Sequence, residues 1–240
     1  MSQFVVTNFY KFVNLDPLDL KLRLLRFLSK CDIKGTVLVA PEGINAGLTG
    51  NRSAVTEFYD FIHTIPGLDD LAFKESFVES PPFNKLKIKI KKEIVTFNVP
   101  TLNMSERGQY LTPQQWDEFL ERSHNAIVID TRNDYEVQFG TFKDALDPKI
   151  KKFSEFGTWV DRTLSDADKD KDILMFCTGG IRCEKTTAYL KQKGFKKVYH
   201  LMGGILQYLQ ETQNRKSHWT GRCFVFDDRV SLNYKLGVSQ

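Results

Sequence analysis

The stretch DILMFCTGGIRCEKTTAYLKQKG, residues 172–194, constrains the fold more than any other. Ile173-Leu174-Met175-Phe176 is a continuous apolar run of strand length, the pattern of a strand buried on both faces. It ends on Cys177, turns through Gly179 and Gly180, and enters a helical segment closed by Gly194, a residue suited to a helix C-terminal cap. The same rhythm recurs on either side. LTPQQWDEFLER (111–122) reads as a helix with Thr112 as N-cap and Pro113 in its first turn, and AIVIDTRNDYEVQFG (126–140) as an apolar strand running into a polar turn. FSEFGTWVDRTL, KKVYHL and GGILQYLQET then read as helix, strand and helix. Strands alternating with helices imply an α/β layer structure around a mostly parallel sheet.

The first half has a different rhythm. FVVTNFYKFV (4–13) fits a strand, and DPLDLKLRLLRFLSK fits a helix with Asp16 as N-cap, Pro17 at its first position, and Leu18, Leu22, Leu25 and Leu28 as a core-facing stripe. GTVLVAPEGINAGLTG offers two short strands about a Pro-Glu-Gly turn, NRSAVTEFYDFIHT a second amphipathic helix, and LAFKESF another strand. KLKIKIKKEIV (85–95) closes this half, with Leu86, Ile88 and Ile90 expected inward and Lys85, Lys87, Lys89 and Lys91 on an outer face. A βαββαβ order predicts a ferredoxin-like α+β sandwich. The expected division is a first domain over 1–97, a linker over 98–110, an α/β domain over 111–215 and a C-terminal segment over 216–240.

Composition excludes several classes. The longest apolar runs fall far short of the roughly 20 residues of a membrane span. The start MSQFVVTNFYKFVNLD lacks the basic, apolar and small-residue zones of a secretory signal, so a cytoplasmic protein with no membrane partner is expected. The cysteines at 31, 177, 183 and 223 form no disulfide framework for a chain of 240 residues, and free thiols are expected. Neither they nor the histidines at 63, 124, 200 and 218 show metal-ligand spacing, so no metal is expected; no flavin or nicotinamide fingerprint appears, so no cofactor is evident in sequence, and a cofactor-free reaction and a bound cofactor without a fingerprint both stay open.

Cys177 is the candidate nucleophile. It lies beyond the carboxyl end of a buried strand, where open α/β sheets place their sites. The loop Thr178-Gly179-Gly180-Ile181-Arg182 can turn amide N–H groups toward the sulfur; the helix N-terminus adds partial positive charge and Arg182 a full one. Such surroundings lower a cysteine pKa from about 8.5 to roughly 3.5–7.5. The bland alternative is a buried cysteine at a glycine turn. Cys183, in the first helical turn, reads as a resolving thiol or as a small hydrophobe supporting the loop. Cys31 and Cys223 read as structural.

CTGGIRCEK resembles the active-site loop of rhodanese domains. IDTRNDYEVQFGTFKDAL resembles their other signature through Asp130, Arg132, Glu136, Gly140 and Ala145, and HLMGGILQY their last strand and glycine turn. The resemblance spans about residues 110–212. Tyrosine phosphatases place five residues between Cys and Arg; here there are four, a loop that fits a smaller anion than phosphate. With GTVLVAPEGINAGLTG, PPFNKLKIKIKKEIVTF and CFVFDDRV flanking these motifs, nearly the whole sequence is similar to the bacterial tRNA uridine hydroxylase family. That resemblance implies an acylphosphatase-like first domain, a rhodanese-like second one, and oxygen-dependent 5-hydroxylation of the wobble uridine at position 34. It also implies molecular oxygen as cosubstrate, the tRNA anticodon stem-loop as partner, and Cys177 as catalytic residue. Many members run on into a cysteine-rich extension whereas this sequence ends at Gln240, so that extension's contribution is expected to be absent or dispensable.

Lys85, Lys87, Lys89, Lys91 and Lys92 are candidate phosphate contacts; equally, lysines guard an edge strand against aggregation. Arg215, Lys216 and Arg222, interleaved with Trp219 and Phe224, suit stacking on an unpaired base, while Phe224 and Phe226 also read as core. Asp130, Arg132 and Glu136 are expected near the mouth of the site, the first two as scaffold ions. Three functions stand: tRNA hydroxylase, rhodanese-type sulfurtransferase carrying a persulfide on Cys177, and a non-catalytic RNA- or sulfur-binding module.

Overall fold

The computed structural model describes residues 3–99, 101–123, 125–213, 217–227 and 229–232. The chain forms two compact units, Met1–Thr96 and Phe97–Gln240.

The first unit runs β1 (Phe4–Phe12), α1 (Pro17–Leu28), β2 (Lys34–Ala40), β3 (Gly43–Gly50), α2 (Arg52–His63), β4 (Lys74–Val78) and β5 (Leu86–Ile90). Its sheet order is β4-β1-β3-β2-β5. The first four strands pair antiparallel in the ferredoxin-like order, and β5 adds to the β2 edge in parallel. Alternate residues of the strands, among them Val37 and Val39 of β2 and Ile44, Ala46 and Leu48 of β3, share one core with Leu24 of α1 and Phe58 and Ile62 of α2. That is the period-two pattern of a sheet covered on one face.

The α1 cap is as expected: Asp16 accepts from the Leu18 and Asp19 amides, with Pro17 at N1. The stripe is not. Leu20, Leu24 and Leu28 face the core, while Leu18, Leu22 and Leu25 are 60%, 55% and 43% exposed. Leucines cover two adjoining faces of this helix, and the face that docks is the one extended by Phe27 and Cys31. In β5, Leu86 and Ile88 reach the core and Lys87 and Lys89 are exposed, but Ile90 is also exposed. Lys85, Lys91 and Lys92 are exposed beyond the strand ends.

The second unit runs β6 (Gln109–Leu111), α3 (Pro113–Arg122), β7 (Ile127–Asp130), α4 (Asp134–Val137), β8 (Gly140–Phe142), α5 (Phe156–Thr163), β9 (Asp172–Phe176), α6 (Ile181–Gln192), β10 (Lys197–Leu201), α7 (Gly204–Glu211), β11 (Trp219–Gly221), β12 (Cys223–Phe224) and β13 (Ser231–Leu232). The main sheet is β6-β10-β9-β7, parallel throughout. Gln109 and Tyr110, read from sequence as the end of a linker, belong instead to β6, paired with β10. Thr112 and Gln115 form a reciprocal capping box on α3. On one side of the sheet Trp116, Phe176, Tyr208 and Trp219 pack around Phe142, mostly edge-to-face. Trp219 is therefore core, which removes it as a base-stacking candidate.

Candidate active site

β9 is a central strand with Ile173 to Phe176 wholly buried, and it delivers Cys177 to the carboxyl edge of the sheet. The chain then turns through Thr178 and Gly179 to Gly180, which stands at φ +102° as the residue before α6. That angle lies in the region where a side chain is strained. It aims the Gly180 N–H at Cys177 Sγ, 3.1 Å away. Gly179 differs: its backbone is not left-handed, and a Cβ there would meet nothing within 4 Å. Space is open over the loop tip.

A second helix start braces the loop. Ile205 N–H donates to the Cys177 carbonyl at 3.0 Å and Leu206 N–H to that of Thr178 at 3.1 Å. Gly204 makes this approach possible. It has φ +67°, and a Cβ would lie 2.5 Å from the Cys177 carbonyl oxygen, 2.7 Å from that of Thr178 and 2.8 Å from the Gly180 nitrogen. The Gly203-Gly204 pair at the start of α7 was visible in the sequence; its contact with the reactive loop was not.

The ionic groups form two closed pairs. Arg132 grips Asp130 through Nε at 2.8 Å and Nη2 at 2.6 Å, both side chains without exposed surface. Arg132 also donates to the Gly140 and Glu136 carbonyls, tying the 136–140 segment to the end of β7. This pair is scaffold. Arg182 grips Glu136 through Nη1 to Oε2 at 2.6 Å and Nη2 to Oε1 at 2.7 Å. Glu136 is thus not at a solvent-facing mouth; it is fully buried beneath the loop, where Thr178 Oγ1 also donates to it at 3.3 Å.

Burial pushes the Cys177 thiol up. It is outweighed by a hydrogen bond from Cys183, the charge of Arg182, and the amides of Arg182 and Gly180, which together hold the thiol down to about 5. Cys183 moves the opposite way: burial and the adjacent Cys177 sulfur keep it a thiol, and its sulfur lies 3.6 Å from Thr131 Oγ1. Burial pushes Cys223 up to about 12. Burial alone would favour neutral Glu136, but Arg182 holds its carboxyl below the usual range. Cys177 has no exposed surface, while Thr178 is 8% and Arg182 6% exposed. The sulfur is held as a thiolate inside the fold.

The candidate RNA contacts are divided between the two units. Lys85, Lys87, Lys89, Lys91 and Lys92 are on the first unit and Arg222, exposed, on the second. Arg215, Lys216 and His124 lie outside the described residues. Phe226, expected as core, is 63% exposed. No group of three or more His, Cys, Asp or Glu able to hold a metal occurs among the described residues, nor any helix long and apolar enough to cross a membrane.

Residues 4–94 match the family model of the UPF0176 acylphosphatase like domain, and residues 112–211 that of the rhodanese-like domain. A tRNA uridine(34) hydroxylase of Wolbachia pipientis (subsp. Culex pipiens, strain wPip) is 46% identical over 237 residues, covering 98% of this chain and 83% of its own. One of Legionella pneumophila (strain Paris) is 47% identical over 238 residues, covering 98% of this chain and 93% of its own.

Proposed function

The chain belongs to the tRNA uridine(34) hydroxylase family, and we propose that it hydroxylates C5 of the wobble uridine in the tRNA anticodon stem-loop, with Cys177 as nucleophile and molecular oxygen as cosubstrate. A tRNA substrate supports a cytoplasmic site of action. The observation that carries the reading is a cysteine sulfur that accepts from the Gly180 amide at 3.1 Å, in a loop whose arginine is already matched by Glu136. A phosphate dianion entering there would meet a carboxylate beside the arginine. A flat neutral electrophile such as uracil meets a nucleophile and amide dipoles instead.

The C5–C6 double bond of uracil is conjugated to the C4 carbonyl. Attack of Cys177 Sγ on C6 forms the S–C bond and moves the electron pair to C5 and the carbonyl oxygen, the developing charge that loop amides can stabilise. C5 then bonds one atom of O2 to give a hydroperoxide; an external two-electron reductant, such as a thiol pair, breaks the O–O bond and releases the other atom as water; and loss of the C5 proton expels the thiolate and restores the double bond. Net, uridine, one O2, two electrons and two protons give 5-hydroxyuridine and water, so a two-electron reductant is consumed. The exposed lysines from Lys85 to Lys92 support the reading as phosphate contacts.

The test is nucleoside mass spectrometry of tRNA from a strain carrying Cys177→Ala in place of the wild-type chain, grown with air. The expected result is loss of 5-hydroxyuridine at position 34. A full level of it would refute the reading. Thiosulfate-to-cyanide turnover without any change in tRNA would favour sulfur transfer.

A further inference from the structure

Phe226 occupies an unusual place for a phenylalanine. Along β12 and the turn after it, burial alternates: Cys223 and Val225 point inward, Phe224 is half-buried, and Phe226 is 63% exposed. An exposed phenyl ring forgoes most of the free energy that burial would give it, and nothing in the turn requires one there. Its position is specific nonetheless. The Arg182 guanidinium lies 5.8 Å from its ring centroid, and that guanidinium is fixed by its two bonds to Glu136. Phe224 meets Phe226 edge-on at 5.2 Å, and Tyr135, 39% exposed, meets Phe224 edge-on at 5.4 Å. The three rings make a ledge beside the Cys177 loop.

The ledge is held in place. Cys223 pairs with Leu232 and Phe224 with Ser231 across β12 and β13. The turn between them is closed by Val225 N–H on the Val230 carbonyl and by Arg229 gripping Asp227 through Nε at 2.8 Å and Nη2 at 2.5 Å. A ring presented from a pinned hairpin loses little freedom when a ligand stacks on it.

We propose that Phe226 is the stacking platform for the target uracil, holding the base beside the loop that carries Arg182 and the attacking sulfur. Enzymes acting on a base draw it from its stack and hold it against aromatic side chains, and Arg182 belongs to the same loop as the attacking sulfur. The inference rests on the uridine reading and adds the residue that orients the base.

The test measures binding of two anticodon stem-loop RNAs, one with uridine and one with an abasic ribose at position 34, to wild type, Phe226→Ala, Phe226→Leu and Phe226→Trp. Removing a base-stacking aromatic weakens binding roughly 5- to 150-fold. A loss in that range is expected for Phe226→Ala on the uridine RNA, with no loss on the abasic RNA. Phe226→Trp restores affinity and Phe226→Leu does not. Because the ring is mostly exposed, the thermal midpoint of Phe226→Ala stays at the wild-type value. Equal affinity of Phe226→Ala and wild type for the uridine RNA, or an equal penalty on both RNAs, overturns the platform while wild-type hydroxylation stands. A wild type that neither prefers nor hydroxylates the uridine RNA overturns the uridine reading together with the platform.

Discussion

Cys183→Ala removes the thiol that donates to Cys177 Sγ from the first turn of α6, while the Gly180 amide at 3.1 Å and the Arg182–Glu136 pair stay in place. A hydrogen bond to a charged group contributes about 1.5–3 kcal/mol. S–H is a weak donor, so the lower end applies, about one pH unit at 1.36 kcal/mol per unit. The Cys177 midpoint is therefore expected to rise from about 5 to roughly 6. Cys183→Ser keeps a donor and should stay near the wild-type midpoint. The assay is the ultraviolet absorbance of the thiolate against pH, each protein measured against the same background carrying Cys177→Ser. At pH 7 both midpoints leave the sulfur mostly ionised, so hydroxylation there should change little. At pH 5.5 the thiolate fraction should drop from about 75% to about 25%, and activity with it. Stability follows in sign: a pKa depressed from the ordinary 9.0 adds stability that is complete above that value and lost as pH falls toward 5. In Cys183→Ala the loss should be complete about one unit earlier. An unchanged midpoint in Cys183→Ala, or a wild-type midpoint above about 8, would refute the account of how this site makes a thiolate.

Gly204→Ala should cripple the site, because its Cβ would stand 2.5 Å from the Cys177 carbonyl oxygen at φ +67°; the expected readout is a Cys177 midpoint moved upward and lost hydroxylation, whereas Gly179→Ala, with open space at its Cβ, should fold and titrate as wild type. His200 is buried against Tyr110, and burial lowers its pKa to about 4, with Glu184 opposing and Arg107 assisting the shift. The unfolded chain takes that proton near 6.5 and the folded one only near 4, so stability should fall by up to about 1.4 kcal/mol per pH unit through that window. Denaturant midpoints of His200→Leu should show a shallower slope there. Removing Lys87 and Lys89 together should weaken tRNA binding and flatten the logarithmic salt dependence by up to about 2; an unaltered slope would leave these lysines as guards of an edge strand.

What the sequence disclosed was whatever short-range chemistry decides. Asp16-Pro17 and Thr112-Pro113 start helices because the cap and the fixed proline φ act within one turn. The unbroken apolar run at 173–176 could only be a buried strand. Three of the four leucines of the expected α1 stripe were misread because Leu18, Leu22 and Leu25 recur at helical spacing just as Leu20, Leu24 and Leu28 do, and only the tertiary partner distinguishes the faces. β6 was missed because three residues, Gln109 to Leu111, carry no period; their strand exists through β10, about 90 positions on.

The site divides along the same line. Cysteine, glycines and helix start are contiguous, so their effect on the sulfur was legible; the mate of Arg182 is 46 positions away and was not. That mate alters the chemistry. An unpaired Arg182 would make the loop an anion trap, favouring phosphate or thiosulfate. Paired with Glu136 it is locally neutral, as Arg132 is with Asp130. What then stabilises the thiolate is close-range: the Cys183 thiol, the nearer end of the Arg182–Glu136 ion pair, and the Arg182 and Gly180 amides. Short-range dipoles in a buried site are little screened by salt. The Cys177 midpoint should therefore hold between low and high ionic strength while tRNA binding falls steeply. A midpoint that climbed with salt in step with the loss of binding would mean that net charge, not the local dipoles, makes the nucleophile.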